Sequence, residues 1–140
     1  MGSYRPVRYK LLGGLVSGVT VAGVIAAAGI VALEQMVDRL AEDHTHCKQL
    51  AYGLAEYPQI DVDAERVVTN MVVFSVRRAG EEPLTEEETE QFVTKAKEHG
   101  VLMGHIGEGR IRAVTHYGLD ADDISEALVG IRRALIDLQL

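Results

Sequence analysis

The segment LLGGLVSGVTVAGVIAAAGIVAL, from Leu11 to Leu33, is 23 consecutive residues without a charge. It constrains the fold more than any other feature, because a helix that is apolar on every side must be covered on every side. Three readings compete. A transmembrane helix needs about 20 apolar residues to cross roughly 30 Å of hydrocarbon. Arg5, Arg8 and Lys10 would then form a basic flank, and Gly14 with Gly18 a close helix contact. A secretory signal would use the same basic start, with Ala26–Ala28 imitating a cleavage site. A buried helix of a water-soluble protein fits the five glycines and six alanines or serines, which are only mildly apolar and let backbones pack closely.

The residues that follow favour the third reading. The helical pattern continues past Leu33 through Val37, Leu40, Ala41, Leu50, Ala51 and Leu54, while Glu34, Asp38, Arg39, Glu42 and Lys48 occupy other faces. A buried helix that emerges amphipathic at a surface accounts for both halves at once. A small membrane-anchored protein spanning at Leu11–Leu33 is the weaker alternative.

Beyond Leu54 the pattern is that of a compact α/β unit. Ile60–Val62 and Asn70–Val76 read as strands, the second a near-continuous apolar run that predicts burial on both faces. Thr85 and Glu88 stand at capping-box spacing, acidic residues crowd the helix start, and Gly100 suits its stop. Phe92, Val93 and Ala96 form the predicted inner face of that helix. Val101–Ile106 and Arg110–His116 read as a hairpin joined by Gly107–Gly109. Asp120 then caps a last helix with Ile124, Leu128, Ile131, Leu135 and Leu138 on one side. This order predicts an α+β fold, a small, largely antiparallel sheet with helices on one face, as a single domain over residues 1–140.

A net charge of -7 argues against general nucleic-acid binding, which needs a basic patch to meet phosphates. The single cysteine, Cys47, allows no internal disulfide and suits a cytoplasmic setting. His44, His46 and Cys47 invite a metal reading, but the two histidines fall about 200° apart on a helix, so no metal site is expected. Gly107–Gly109 is too short for a phosphate loop, and the acidic run around Thr85 lacks calcium-loop spacing.

Three blocks together carry a family resemblance: AGVIAAAGIVALEQMVDRLAEDHTHCKQLAYGLAEYPQIDVD, TNMVVFSV and GVLMGHIGEGRIRAVTH. They resemble the C-terminal small domain of low-specificity L-threonine aldolases, pyridoxal-phosphate enzymes of the aspartate-aminotransferase fold type. The likeness begins near Ala22; in domain terms residues 18–140 follow the family and residues 1–17 depart from it. It implies a soluble enzyme that cleaves threonine or allo-threonine to glycine and acetaldehyde, which leaves little room for a membrane span. It also implies that Arg112 binds the substrate carboxylate, since a planar guanidinium grips a carboxylate through two parallel hydrogen bonds.

The same resemblance implies what these residues do not supply. Family members anchor the cofactor on a large domain through one lysine, and none of Lys10, Lys48, Lys95 and Lys97 stands in that lysine's context. Thr20 replaces an active-site arginine, Val21 a glutamine, and Gly118 an aspartate. The expectation is a chain without catalytic residues of its own, inactive alone and binding no cofactor alone. Its expected partners are a second copy, through the Leu11–Leu33 helix, and a cofactor-binding large domain.

Overall fold

A computed structural model describes the backbone of residues 8–78 and 82–140, and the side chains from Thr20 onward within that range. The chain divides into two compact units between Arg39 and Leu40.

In the first unit, α1 (Arg8–Val31) is followed by a π-helical turn over Ala32–Met36. Its side chains from Thr20 to Val31 are exposed. Leu15, Val16 and Val19, and the proposed contact at Gly14 and Gly18, lie outside the described side chains. From Thr20 onward no single helix is long and apolar enough to cross a membrane; Thr20–Met36 and Leu40–Ala55 reach that length and hydropathy only when taken together.

The expected uninterrupted helix through Leu54 is therefore broken. A π turn inserts one residue per turn and rotates everything beyond it, so a stripe counted across Ala32–Met36 loses its register. Val37 and Leu40 are accordingly exposed, whereas Leu50, Ala51 and Leu54 are buried. Neither glycine nor proline marks the break.

The second unit runs α2 (Leu40–Ala55), β1 (Ile60–Asp61), β2 (Met71–Val76), α3 (Glu86–Glu98), β3 (Gly104–His105), β4 (Arg110–Val114) and α4 (Ala121–Asp137). The sheet order is β1-β2-β4-β3, with every neighbouring pair antiparallel. Period-2 alternation sends Val72, Phe74, Val76, Ile111 and Ala113 toward the helices. There they meet Leu50 and Leu54 of α2, Phe92 and Ala96 of α3, and Ile124, Ile131 and Leu135 of α4. The expected sheet with helices on one face is what forms.

β2 is buried on one face only. Met71 and Val73 are 46% and 43% exposed on the side away from the helices, where no layer of the second unit covers them. The expected strand at Val101–Ile106 shortens to Gly104–His105 because its first residue closes α3 instead. Gly100 adopts a left-handed backbone (φ 86°), and the Val101 N–H donates to the Ala96 carbonyl at 2.9 Å.

Local chemistry sets the helix starts. The Thr85 hydroxyl accepts from the Glu88 N–H at 3.3 Å, and the Glu88 carboxylate accepts from the Thr85 N–H at 2.9 Å. Asp120 and Asp123 make the same reciprocal box on α4. Thr85→Ala is expected to cost about 1 kcal/mol at neutral pH, read as a lower denaturant midpoint at unchanged slope. The backbone and side-chain hydrogen bonds from Thr85, helped by Arg78, hold the Glu88 carboxyl below its ordinary value. A depressed carboxyl stabilises above its unfolded pKa, and that contribution is lost as pH falls through the folded value. The titrating half of the box is the Glu88 carboxylate, so the gap between wild type and Glu88→Ala should narrow as pH falls through the carboxylate range; a gap independent of pH would contradict that half of the box.

Candidate functional site

The open face of the sheet carries the site. Arg112 sits in the middle of β4, paired across to Val73 on β2 and Gly104 on β3. Alternation along β4 sends Arg110, Arg112 and Val114 out and Ile111 and Ala113 in. The half-exposed side chains of Met71, Val73 and Val114 give this face an apolar floor. Gly104 brings no side chain to the flank of Arg112, and nothing lies within 4 Å of where its Cβ would stand.

Two nearby arginines are already paired. Arg77, just beyond β2, meets the Asp61 carboxylate, and Arg110 Nη2 lies 2.8 Å from Glu108 Oε2. Arg112 has no carboxylate partner among the described residues. A guanidinium held at mid-strand, bordered by a glycine and set on an apolar floor, suits a small carboxylate ligand through two parallel hydrogen bonds. Alternation in the sequence predicts Arg110 and Arg112 on one face, and there they stand; it does not show that one of them meets its neighbour in the turn.

The other residues singled out from the sequence do not converge. His44 is exposed, His46 is half-buried with Nδ1 lacking a hydrogen-bond partner, and Cys47 is fully buried. Burial pushes the Cys47 thiol up, against a smaller opposing effect from the Thr115 hydroxyl. Among the described residues no group of three or more His, Cys, Asp or Glu is placed to hold a metal. The acidic run works locally: Glu88 caps α3 and meets Arg78 at 2.7 Å, while Glu86 accepts from the Glu108 N–H. Glu86 Oε2 also lies 2.7 Å from His105 Nε2, a close polar contact without hydrogen-bond alignment.

Three lysines have described side chains. Lys48 lies over the Tyr52 ring at 5.7 Å, Lys95 pairs with Glu98 at 2.7 Å, and Lys97 is exposed on α3. Lys10 lies outside the described side chains. Thr20 and Val21, at the family's arginine and glutamine positions, are exposed on α1. Gly118 takes φ 92° in the turn after β4, a backbone that favours glycine over the family's aspartate.

One feature escaped the sequence reading. A cleft of about 320 Å³ opens between the end of β4, the 99–103 loop and α4, lined by Val101, Met103, Thr115, Ile124 and Ile131 among others. Its walls come from positions scattered between Leu50 and Ile131, and no local pattern announces such a convergence.

Comparison with known proteins bears on the family and the fold. The Beta-eliminating lyase family model matches residues 7–79. Low-specificity L-threonine aldolase 1 of Arabidopsis thaliana is 32% identical, over 93% of this chain and 34% of its own length. Low specificity L-threonine aldolase of Escherichia coli (strain K12) is 30% identical, over 87% of this chain and 32% of its own. The chain thus spans about a third of the length of the curated relatives it matches. Among solved structures, an S-selective transaminase from Arthrobacter sp. aligns with TM-score 0.63 at 18% identity, covering 82% of this chain and 28% of that one. A Bacillus anthracis aminotransferase aligns at 0.59 and 18%, covering 78% and 26%. Those two likenesses concern the fold.

Proposed function

Because the chain belongs to the Beta-eliminating lyase family, we propose that it is the substrate-carboxylate-binding small domain of a threonine-aldolase-like lyase. The family is pyridoxal-phosphate dependent. The observation that carries the reading is Arg112, exposed at mid-sheet without a carboxylate partner among the described residues, while Arg110 and Arg77 are each paired. In this reading Arg112 holds the carboxylate of a small β-hydroxy amino acid such as threonine, and fixes which bond of the substrate is presented to the reacting group. The anchoring lysine comes from a cofactor-bearing domain outside these residues, and the chain alone is not catalytic. A buried, unpaired Cys47 suits a cytoplasmic setting.

The test is reconstitution. The chain is mixed with a separately produced cofactor-bearing domain of a relative, and acetaldehyde release from L-threonine is followed. Background turnover is expected from the chain alone with pyridoxal phosphate, and turnover above background from the mixture. Arg112→Ala should raise the KM for threonine on the order of tenfold, as expected for losing one charge-assisted contact at an exposed site. Arg110→Ala should leave KM within about twofold, because Arg110 stands at the turn end of β4 and already meets Glu108. A second measurement needs no partner: glycine titrated into the chain alone should shift the amide resonances of Val73, Gly104 and Arg112, and Arg112→Ala should abolish the shift. Equal effects of the two arginine variants would mean that Arg112 is only a solvated strand residue. Robust turnover by the chain alone would refute the division of labour.

A further inference from the structure

We propose that Gly104 is the specificity-determining position of this site: the recess it leaves beside Arg112 takes the side chain of the amino acid whose carboxylate Arg112 holds. The proposal rests on that assignment of Arg112 and adds what limits the size of the ligand.

A glycine inside a strand weakens it, and ordinarily marks a bulge, a bend, or a place where a ligand or another backbone comes close. The first two reasons fail at Gly104. Its backbone is not left-handed, unlike those of Gly100, Gly107, Gly109 and Gly118. Its pairing is regular: Gly104 opposes Arg112, His105 opposes Ile111, and the Ile106 N–H donates to the Arg110 carbonyl at 2.9 Å. Packing within the fold does not require glycine either, because a Cβ built there meets nothing within 4 Å. Gly53 and Gly130 are the contrast, since a Cβ on them would run into Leu128 and Val101. The approach of a ligand is the reason that remains.

The pairing aims the recess at Arg112. Directly opposed residues of an antiparallel pair face the same way, so the missing side chain of Gly104 belongs to the open face. Gly104 is itself half-buried, which makes the gap a dent between neighbours rather than bare surface. The two flanks of Arg112 differ. On β2 it is opposed by Val73, whose side chain, 43% exposed, walls that flank. On β3, an edge strand, it is opposed by Gly104. Strands lie about 4.8 Å apart, so a group of about two carbons reaching sideways from a carboxylate on Arg112 stands over Gly104. The hydroxyl-bearing carbon of a small β-hydroxy amino acid, with its methyl, is of that size. A substituent turned toward β2 meets Val73 instead.

Amide spectra of the full chain titrated with glycine and with L-threonine test this. Both ligands should shift Val73 and Arg112 in the wild type. In Gly104→Val, L-threonine should bind about tenfold more weakly, the low end of what one obstructed methyl-sized group costs, and glycine within about twofold of wild type. Gly104→Ala should fall between the two for L-threonine. Neither variant should lower the thermal midpoint, since valine suits an edge strand and the added Cβ has room; the alanine variant carries the comparison if valine disturbs β3. Equal weakening of glycine and L-threonine overturns the proposal, because residue 104 would then only crowd the guanidinium. Unchanged L-threonine binding overturns it too, and puts the ligand's side chain elsewhere. In both cases a wild type that responds to glycine leaves the carboxylate role of Arg112 standing. A wild type whose amides ignore glycine overturns that role, and this proposal with it.

Discussion

Phe92→Ala is expected to remove about 3–5 kcal/mol of stability, a large share of what a domain of this size holds. Phe92, in the middle of α3, is the largest side chain with no exposed surface among the described residues, and it belongs to the core shared by the sheet and the helices. Deleting its ring removes the transfer free energy of the aromatic atoms and leaves a cavity in that core. The cleft beside α4 does not relieve the loss, since Phe92 is not among the residues that line it. In a thermal scan the loss should appear as a drop in Tm of roughly 12–40 °C, taking about 4–8 °C per kcal/mol for a unit of about 100 residues. In denaturant it should appear as a lower midpoint at unchanged slope. Val93, next to it on α3, is only half-buried, so Val93→Ala should cost about 1–2 kcal/mol. Equal costs at the two positions would mean that α3 is not seated on the sheet through Phe92.

These two neighbours show where the fold was legible. Periodicity and capping are local, and they held: Thr85 with Glu88, Asp120 with Asp123, the Gly100 stop, and the inward stripes of α3 and α4 all form as the residues predict. Strand β2 shows where locality fails. Met71 and Val73 are as apolar as Val72 and Phe74, so nothing in the strand itself says that one face stays open; that depends on whether a second layer lies beneath it. The break at Ala32–Met36 was invisible for a related reason. Every residue from Val31 to Leu40 tolerates a helix, and a π turn differs from an α turn by one residue of register rather than by composition. At the site, alternation alone brought Arg110 and Arg112 to one face, and the family likeness singled out Arg112. The ion pair that sets them apart needed three dimensions, because Glu108 folds back over Arg110 only through the left-handed backbone of the turn between β3 and β4.

That turn carries the other large effect. Gly107, Glu108 and Gly109 all have positive φ, at 89°, 55° and 65°. Gly109 is buried, and a Cβ built on it would lie 2.8 Å from the Leu84 carbonyl oxygen. An oxygen of the backbone cannot rotate out of the way as a side chain would, and Leu84 is itself held by donating its N–H to the Val76 carbonyl at 2.9 Å. Gly109→Ala therefore combines a left-handed backbone penalty with an overpacking penalty, and about 2–4 kcal/mol of lost stability is expected. Gly107→Ala separates the two, because it imposes the same kind of backbone strain with nothing within 4 Å of its Cβ; about 1–2 kcal/mol is expected there. Urea midpoints of the two variants give the comparison directly, and equal losses would show that Leu84 is not the wall it resembles. The turn also sets the register that pairs Gly104 with Arg112. If the hairpin rebuilds intact in the folded fraction, the cost of Gly109→Ala should fall on stability while glycine still shifts the amides around Arg112. A variant that stays folded and loses that response would instead mean that the turn fixes the position of the guanidinium as well as the fold.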